Sequence, residues 1–309
     1  MPGRRRRADD GTTVRGGVLV IDKPAGPTSH DVVAVVRRAF RGAKVGHTGT
    51  LDPFATGVLP VVIGRATRLA RFLAGADKEY DALVRLGRST DTFDVTGRVV
   101  YEAPDGFLLP SPAAVAEVIH GYLGSWMQTP PAYSAKQADG VRAYEQARRG
   151  RAVELAPVPV RVAAIDLVSV DGPLVRLRLV SSAGFYVRAL AQDLGERLGT
   201  GATLEGLRRL RSGVFGLADA VTLDAVVRAE AGPRVLPLDA LLADWPAAVL
   251  TAEGVDWVAH GRAVGPAQCA EPLAAQPGTP VRLVGLDGSL LAVGEPGPGG
   301  VLHPVVVLV

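Results

Sequence analysis

The stretch GHTGTLDPFATGVLP, residues 46–60, sets a single carboxylate, Asp52, in a run of Gly, Thr and Pro, with His47 just upstream and no second acid nearby. By position alone, an Asp before Pro in such a loop reads as a turn residue bonding its own backbone. The flanks give it a frame. Upstream, TSHDVVAVVRRAFRG (28–42) carries a capping-box pattern at Thr28 and Asp31, with Val32, Val33, Val36, Ala39 and Phe40 at helical spacing. Three arginines, 37, 38 and 41, favour its C-terminal end. Before it, GGVLVIDKPAG (16–26) is a short apolar strand closing on a Lys-Pro turn. Downstream, VLPVVIG (58–64) reads as a strand and RATRLARFLAG (65–75) as a helix. A loop between a helix and a strand is a usual home for function.

Further along, KEYDALVRLG (78–87) alternates Tyr80, Ala82, Val84 and Leu86 on one face, the pattern of a half-buried strand. A polar turn and a strand, RVVYE, follow. Ser111 and Pro112 then open a helix to about residue 122. Residues 129–151, TPPAYSAKQADGVRAYEQARRGR, predict a basic loop and a short helix. Strands are expected near 158–170 and 174–181, and YVRALAQDLGERLGTG (186–201) is an amphipathic helix stopped by Gly199. TLEGLRRLRSG (203–213) predicts a second, strongly basic helix. After a Pro- and Ala-rich shift near 233–247 comes a β-rich segment with a hairpin turn at Asp287-Gly288. Strands and helices mix without strict βαβ alternation, so the fold class is α+β.

The chain has 309 residues, 48% hydrophobic and 21% charged, which predicts two domains with a sizeable core. Net charge is only +3, and 30 of the 34 Lys and Arg residues are Arg. One cysteine, Cys269, excludes an internal disulfide and a Cys-cluster zinc site and fits a reducing cytoplasm. The start, MPGRRRRADDGTTVRGG, lacks the apolar core of a signal peptide, and no apolar run approaches the roughly 20 residues of a membrane helix. Histidines 30, 47, 120, 260 and 303 show no metal-ligand spacing, and Ser134 and Ser181 have no visible base partner. GTGATLEG fits neither phosphate-loop fingerprint. Nothing points to an obligate interface, so a monomer is expected.

Five ordered blocks resemble the TruB-type tRNA pseudouridine synthases, which act on the T-loop uridine at conventional tRNA position 55. They are VLVIDKPAGPTSHDVV, GHTGTLDPFATGVLPVVIGRATRL, KEYDALVRLGRSTDTFDVTG, QTPPAYSAKQADGVRAYEQARRG and GFYVRALAQDLGERLGTGATLEGLRRLRSGVF, spanning about 17–216. The last 60 or so residues resemble, far more loosely, the family's PUA-like RNA-binding appendix. The resemblance implies a mixed, mainly antiparallel sheet flanked by helices. It also implies a catalytic domain (14–244) and a PUA-like domain (247–309); ahead of them, residues 1–13, with the tetrad Arg4–Arg7, read as a basic disordered tail.

By the same resemblance Asp52 is the catalytic acid, Arg188 the cation that keeps it ionised, and Tyr80 the ring that stacks on the target base and takes the C5 proton. Tyr186 and Leu207 would line the uridine pocket, and His47 would fill the T loop where bases have flipped out. Lys23 would support the catalytic loop or a phosphate. Arg148, Arg149, Arg151, Arg208, Arg209 and Arg211 are candidate phosphate contacts. The implied reaction breaks C1′–N1, turns the base and joins C1′ to C5, gaining neither atoms nor electrons, so it requires no cofactor or metal. One unprotonated carboxylate suffices, by attack on C1′ or by removal of a C2′ proton to give a glycal; both routes remain open. The implied partner is the T-arm stem-loop of tRNA, with no membrane. A non-enzymatic alternative is a tRNA-folding module built on the same surface.

Overall fold

The computed structural model describes residues 16–133, 155–228, 234–271 and 278–309, together with the short strands Gln137–Ala138 and Val141–Arg142. The expected helix within 129–151, and Arg148, Arg149 and Arg151, lie outside the described residues.

In chain order the main elements are β1 (Gly16–Lys23), α1 (Ser29–Ala39), β2 (Val45–His47), β3 (Thr56–Gly64), α2 (Ala70–Ala74) and β4 (Lys78–Leu86). Next come α3 (Pro112–His120), β5 (Gly124–Gln128), β6 (Val158–Asp171), β7 (Leu174–Ser181), α4 (Val187–Arg197) and β8 (Ala202–Ser212). The C-terminal part holds β9 (Ala247–Val249), α5 (Ala252–Ala259), β10 (Val281–Val284), β11 (Leu290–Pro296) and β12 (Leu302–Val307).

One mixed sheet dominates, in the order β1-β3-β8-β4-β7-β6-β5, with Val221–Thr222 beyond β1 and β2 on β3. Most pairings are antiparallel; β8 on β3 and Val221–Thr222 on β1 are parallel. The fold class is α+β, as the sequence predicts. The capping box of α1 forms as expected: Asp31 N–H donates to Thr28 Oγ1 (3.1 Å) and Thr28 N–H to Asp31 Oδ2 (2.9 Å). Alternation along β4 sends Tyr80, Ala82, Val84 and Leu86 into a core with α3 and α4.

The structure corrects one element. Residues 203–213 form no helix; all but the last belong to β8, paired along its length with β4 and at Arg208–Arg209 with β3. Leu204, Leu207, Arg208 and Arg211 mimic a helical period, yet β3 and β4 leave two open edges whose main-chain groups need partners. Filling that gap outweighs a local helix preference. As a strand, β8 sends Arg209 inward, 1% exposed, while Arg208 stays half-buried. Gly57 faces Arg209 across this seam at φ +100°, where an added Cβ would stand 2.2 Å from the Arg209 carbonyl oxygen, so only glycine fits.

The C-terminal strands form a separate sheet, β9-β10-β11-β12, with α5 against it and Gly288 at φ +80° in the expected hairpin turn. It shares a hydrophobic cluster with the large sheet: Val284, Leu290, Val293 and Leu308 pack with Val18, Val62, Leu69 and Leu73. Phe72 meets Trp245 edge-on, with ring centroids 5.4 Å apart. No helix among the described residues is long and apolar enough to cross a membrane.

Candidate functional site

Asp52 lies in the loop between β2 and β3, and three side chains hold that loop through its main chain. Lys23, at the end of β1 and 0% exposed, donates to the carbonyls of Pro24 (2.9 Å), Pro53 (3.1 Å) and Ala55 (2.7 Å). Arg209 donates to Val58 O (2.7 Å), Gly49 O (3.0 Å) and Thr50 O (3.5 Å). Ser29, at the start of α1, bonds both the N–H (2.9 Å) and the carbonyl (3.0 Å) of Leu51. The loop is thus pinned from below without using the Asp52 carboxylate. Burial lowers the Lys23 ammonium to about 8, with Asp52 opposing and Arg209 adding to the fall. Lys78, at the start of β4, is likewise lowered to about 8 by burial.

The carboxylate turns to Arg188, in the first turn of α4. Arg188 Nε stands 2.9 Å from Oδ2, and Nη2 donates to Oδ1 at 3.2 Å. The guanidinium's remaining donors reach Thr92 O (3.1 Å), Tyr133 O (2.8 Å) and the Asp94 carboxylate (3.5 Å). Arg188 is therefore held from several sides and presents one edge to Asp52. Burial pushes the Asp52 carboxyl above its ordinary range; Arg188 opposes that rise most strongly and Asp94 adds to it. A third of the Asp52 side chain remains open to solvent, which limits the rise.

Tyr80 is 8% exposed and sits in the cluster that takes in Phe185 and Val187, against which Phe54 and Leu207 pack. Phe54, two residues from Asp52, and Val187, next to Arg188, therefore belong to the same apolar cluster as the tyrosine. Tyr186 is the N-cap residue of α4, and Leu207 bridges two core clusters. His47 ends β2; its Nδ1 accepts from Gly49 N–H (3.3 Å), which assigns the proton to Nε2. Burial, then the neighbouring His30 and Arg209, lower its basicity, so the ring is neutral near pH 7. His30 meets it edge-on, with centroids 5.6 Å apart. Lys23 lies beneath the loop rather than at a surface open to phosphate. Arg208 is paired with Asp22 (2.7 Å) and Arg211 with Glu79 (3.2 Å).

Sequence reasoning missed two residues that order this site. Asp94, 4% exposed, accepts from Thr92 Oγ1 (2.9 Å), Thr96 N–H (2.9 Å) and Thr96 Oγ1 (2.6 Å) with one oxygen and faces Arg188 with the other. Its signal was the Thr-x-Asp-x-Thr spacing in TFDVT, a side-chain-capped turn. Gln128, 2% exposed at the end of β5, clamps the Tyr186 main chain: Tyr186 N–H donates to Oε1 (2.8 Å) and Nε2 donates to Tyr186 O (2.9 Å). Among the described residues, no group of three or more His, Cys, Asp or Glu stands ready to hold a metal ion.

Residues 37–187 match the family described as TruB family pseudouridylate synthase (N-terminal domain), and residues 188–244 match the tRNA pseudouridylate synthase B C-terminal domain. The chain is 43% identical over 297 residues to a tRNA pseudouridine synthase B of Solibacter usitatus, covering 94% of this chain and 99% of that one. To a protein of the same name from Geobacter sulfurreducens it is 48% identical over 250 residues, 79% and 81% of the two chains. Among solved structures it resembles a chain of an H/ACA RNP bound to a substrate RNA containing 2′-deoxyuridine. There the TM-score is 0.74 and identity 26%, over 96% of this chain and 86% of the other. A fold, an isolated loop acid with its arginine, and a likeness that runs nearly end to end all lead to one conclusion: the chain belongs to the TruB family of pseudouridylate synthases.

Proposed function

We propose that this protein isomerises uridine to pseudouridine in tRNA, at position 55 of the T loop, without cofactor or metal. The observation that carries the reading is the Asp52–Arg188 pair, set in a loop whose backbone is anchored by other side chains. A base inside a folded loop must be extruded before its glycosidic bond can be reached, at a cost of a few kcal/mol. Neutral His47, half-buried beside the loop with His30 against it, is suited to stack where the extruded base stood. The flipped uridine then lies against Tyr80, with Tyr186 and Leu207 as walls and its ribose toward Asp52.

Asp52, ionised through Arg188, either attacks C1′, breaking C1′–N1 and later being displaced by C5, or removes the C2′ proton to expel the base and returns it as C1′–C5 forms. After the base turns and C1′–C5 forms, Tyr80 accepts the C5 proton as its own phenolic proton passes on, N1 bearing a proton in the product. The 247–309 segment is assigned as a PUA-like RNA-binding domain and residues 14–244 as the catalytic domain. The protein acts as a cytoplasmic monomer. Asp52→Asn tests the assignment on a T-arm stem-loop RNA: pseudouridine formation is abolished while RNA affinity stays within about tenfold. Product formation by the Asn variant at a near-normal rate refutes it.

A further inference from the structure

Of the phosphate contacts expected from sequence, the three among the described residues have no free charge to offer: Arg209 is buried under the loop, and Arg208 and Arg211 are held by Asp22 and Glu79. The pattern extends over the sheet, where Arg176 and Arg178 lie on Asp81 and Glu79 at 2.8 and 2.7 Å. Residues 29–75 are different. They hold seven Lys and Arg residues against two acids, Asp31 and Asp52, and both acids are engaged, one in the helix cap and the other with Arg188. Arg37 donates to Val45 O and Arg68 to Val307 O. Arg71 covers the Phe72 ring, its guanidinium carbon 4.6 Å from the centroid.

That leaves Arg38, Arg41, Lys44 and Arg65, all exposed and with no carboxylate partner among the described residues. They follow closely along the chain and the sheet edge: Arg38 lies in the last turn of α1, Arg41 just past its C-cap, Lys44 precedes β2, and Gly64 N–H donates to Lys44 O (2.8 Å), which brings the backbone of Arg65 alongside. A helix dipole accounts for arginines in the last turn of α1, but not for Arg41, Lys44 and Arg65 beyond it. The strip also leads to the site: Lys44 is three residues of extended chain from His47, about 10 Å.

Resting on the reading above, we propose that Arg38, Arg41, Lys44 and Arg65 form a phosphate track that grips the backbone of the T stem while His47 and His30 face the loop it supports. A distance of about 10 Å corresponds to roughly three nucleotide steps, so the track meets the stem next to the modified loop.

The test compares wild type with the Arg38→Ser/Arg41→Ser/Lys44→Ser variant, using T-arm stem-loop RNA and full-length tRNA, by anisotropy between about 50 and 200 mM salt. Loss of about three phosphate contacts lowers the slope of log K against log salt by about 2–3. The Kd at about 100 mM salt rises tenfold or more, and kcat at saturating RNA is unchanged. An Arg176→Ser/Arg178→Ser control, on the paired face, keeps the wild-type slope. An unchanged slope in the triple variant, an equal loss in the control, or a loss confined to full-length tRNA overturns the track. Absence of pseudouridine in the wild-type reaction instead overturns the function on which it rests.

Discussion

Removing Gln128 tests whether α4 must be held at its N-cap residue for Arg188 to keep its place beside Asp52. The Gln128 carboxamide satisfies both main-chain groups of Tyr186, the N-cap residue of α4, which has no side-chain cap of its own. In Gln128→Ala, Tyr186 O keeps its bond from Leu190 N–H (3.2 Å), so the loss falls on the Tyr186 N–H. Leaving that donor unpaired costs about 1–3 kcal/mol. The chain relieves the cost by letting the start of the helix shift, and Arg188 moves with it. At an effective dielectric of about 20, a retreat of the guanidinium from about 4 to 5 Å gives up about 0.8 kcal/mol of attraction. That is worth about half a pKa unit on Asp52. Burial already pushes Asp52 upward and Arg188 opposes it, so weakening Arg188 raises it further.

The acid limb of the kcat profile should therefore move about half a unit to higher pH. The plateau rate should fall by about ten- to a hundredfold, since displacements near 1 Å carry costs of that order. Affinity for RNA should change little. Gln128→Glu, which retains an acceptor but lacks the donor, falls between Ala and wild type. Single-turnover rates across pH, with thermal melts to normalise for folding, provide the assay. If the Ala variant keeps its plateau and its acid limb overlays wild type, the clamp does not govern Arg188.

The buried Lys23 ammonium, lowered to about 8, gives turnover a basic limb near that pH, because the neutral amine has two N–H groups for three carbonyls; Lys23→Arg should displace the limb upward. Stability runs the other way. The folded value lies below the unfolded one, so the penalty is complete below pH 8 and fades as pH rises toward 10.5. Urea midpoints should climb across that window, and climb less in Lys23→Met. Truncation after residue 246 should yield an aggregating or unfolded chain by light scattering and circular dichroism, because it strips Val284, Leu290, Val293 and Leu308 from the cluster they share with β1 and β3. A soluble truncated chain with full turnover would show that the two sheets fold independently.

What the sequence disclosed and what it hid follow from the range of the interactions involved. The box at Thr28 and Asp31, the alternation of β4 and the turn at Gly288 are local, and each was legible from a few adjacent residues. β8 was misread because its strand state depends on two partners, one of them about 150 residues away in the chain. Lys23 and Arg209 were visible as cations. That they spend their donors on carbonyls of the loop that carries Asp52 depends on the sheet order β1-β3-β8, which no local pattern encodes. Gln128 had no signal at all: a glutamine before Thr-Pro-Pro becomes a main-chain clamp only once β5 and α4 are neighbours.

Asp94 completes the electrostatic logic. On the proposed function, Asp52 gives up its negative charge in either route, as an ester of C1′ or as a carboxylic acid. Losing the only partner of a buried cation ordinarily costs about 3–5 kcal/mol, since the charge left behind is uncompensated. Arg188, with its side chain 6% exposed, would face that penalty at each turnover. Asp94 removes it. Held by Thr92 and Thr96, its carboxylate stands 3.5 Å from Nη1 and keeps Arg188 paired when Asp52 is neutral. Asp94→Asn, close in shape and able to keep the Thr92 and Thr96 bonds to its carbonyl, separates two effects of opposite sign. Removing its charge lowers the Asp52 pKa, so the acid limb moves to lower pH, contrary to Gln128→Ala. Yet the plateau rate falls, by about a hundredfold for 3 kcal/mol, because the step that neutralises Asp52 now strands Arg188. A variant that shifts its acid limb downward while keeping its plateau would show that Asp52 never passes through a neutral state in the rate-limiting step.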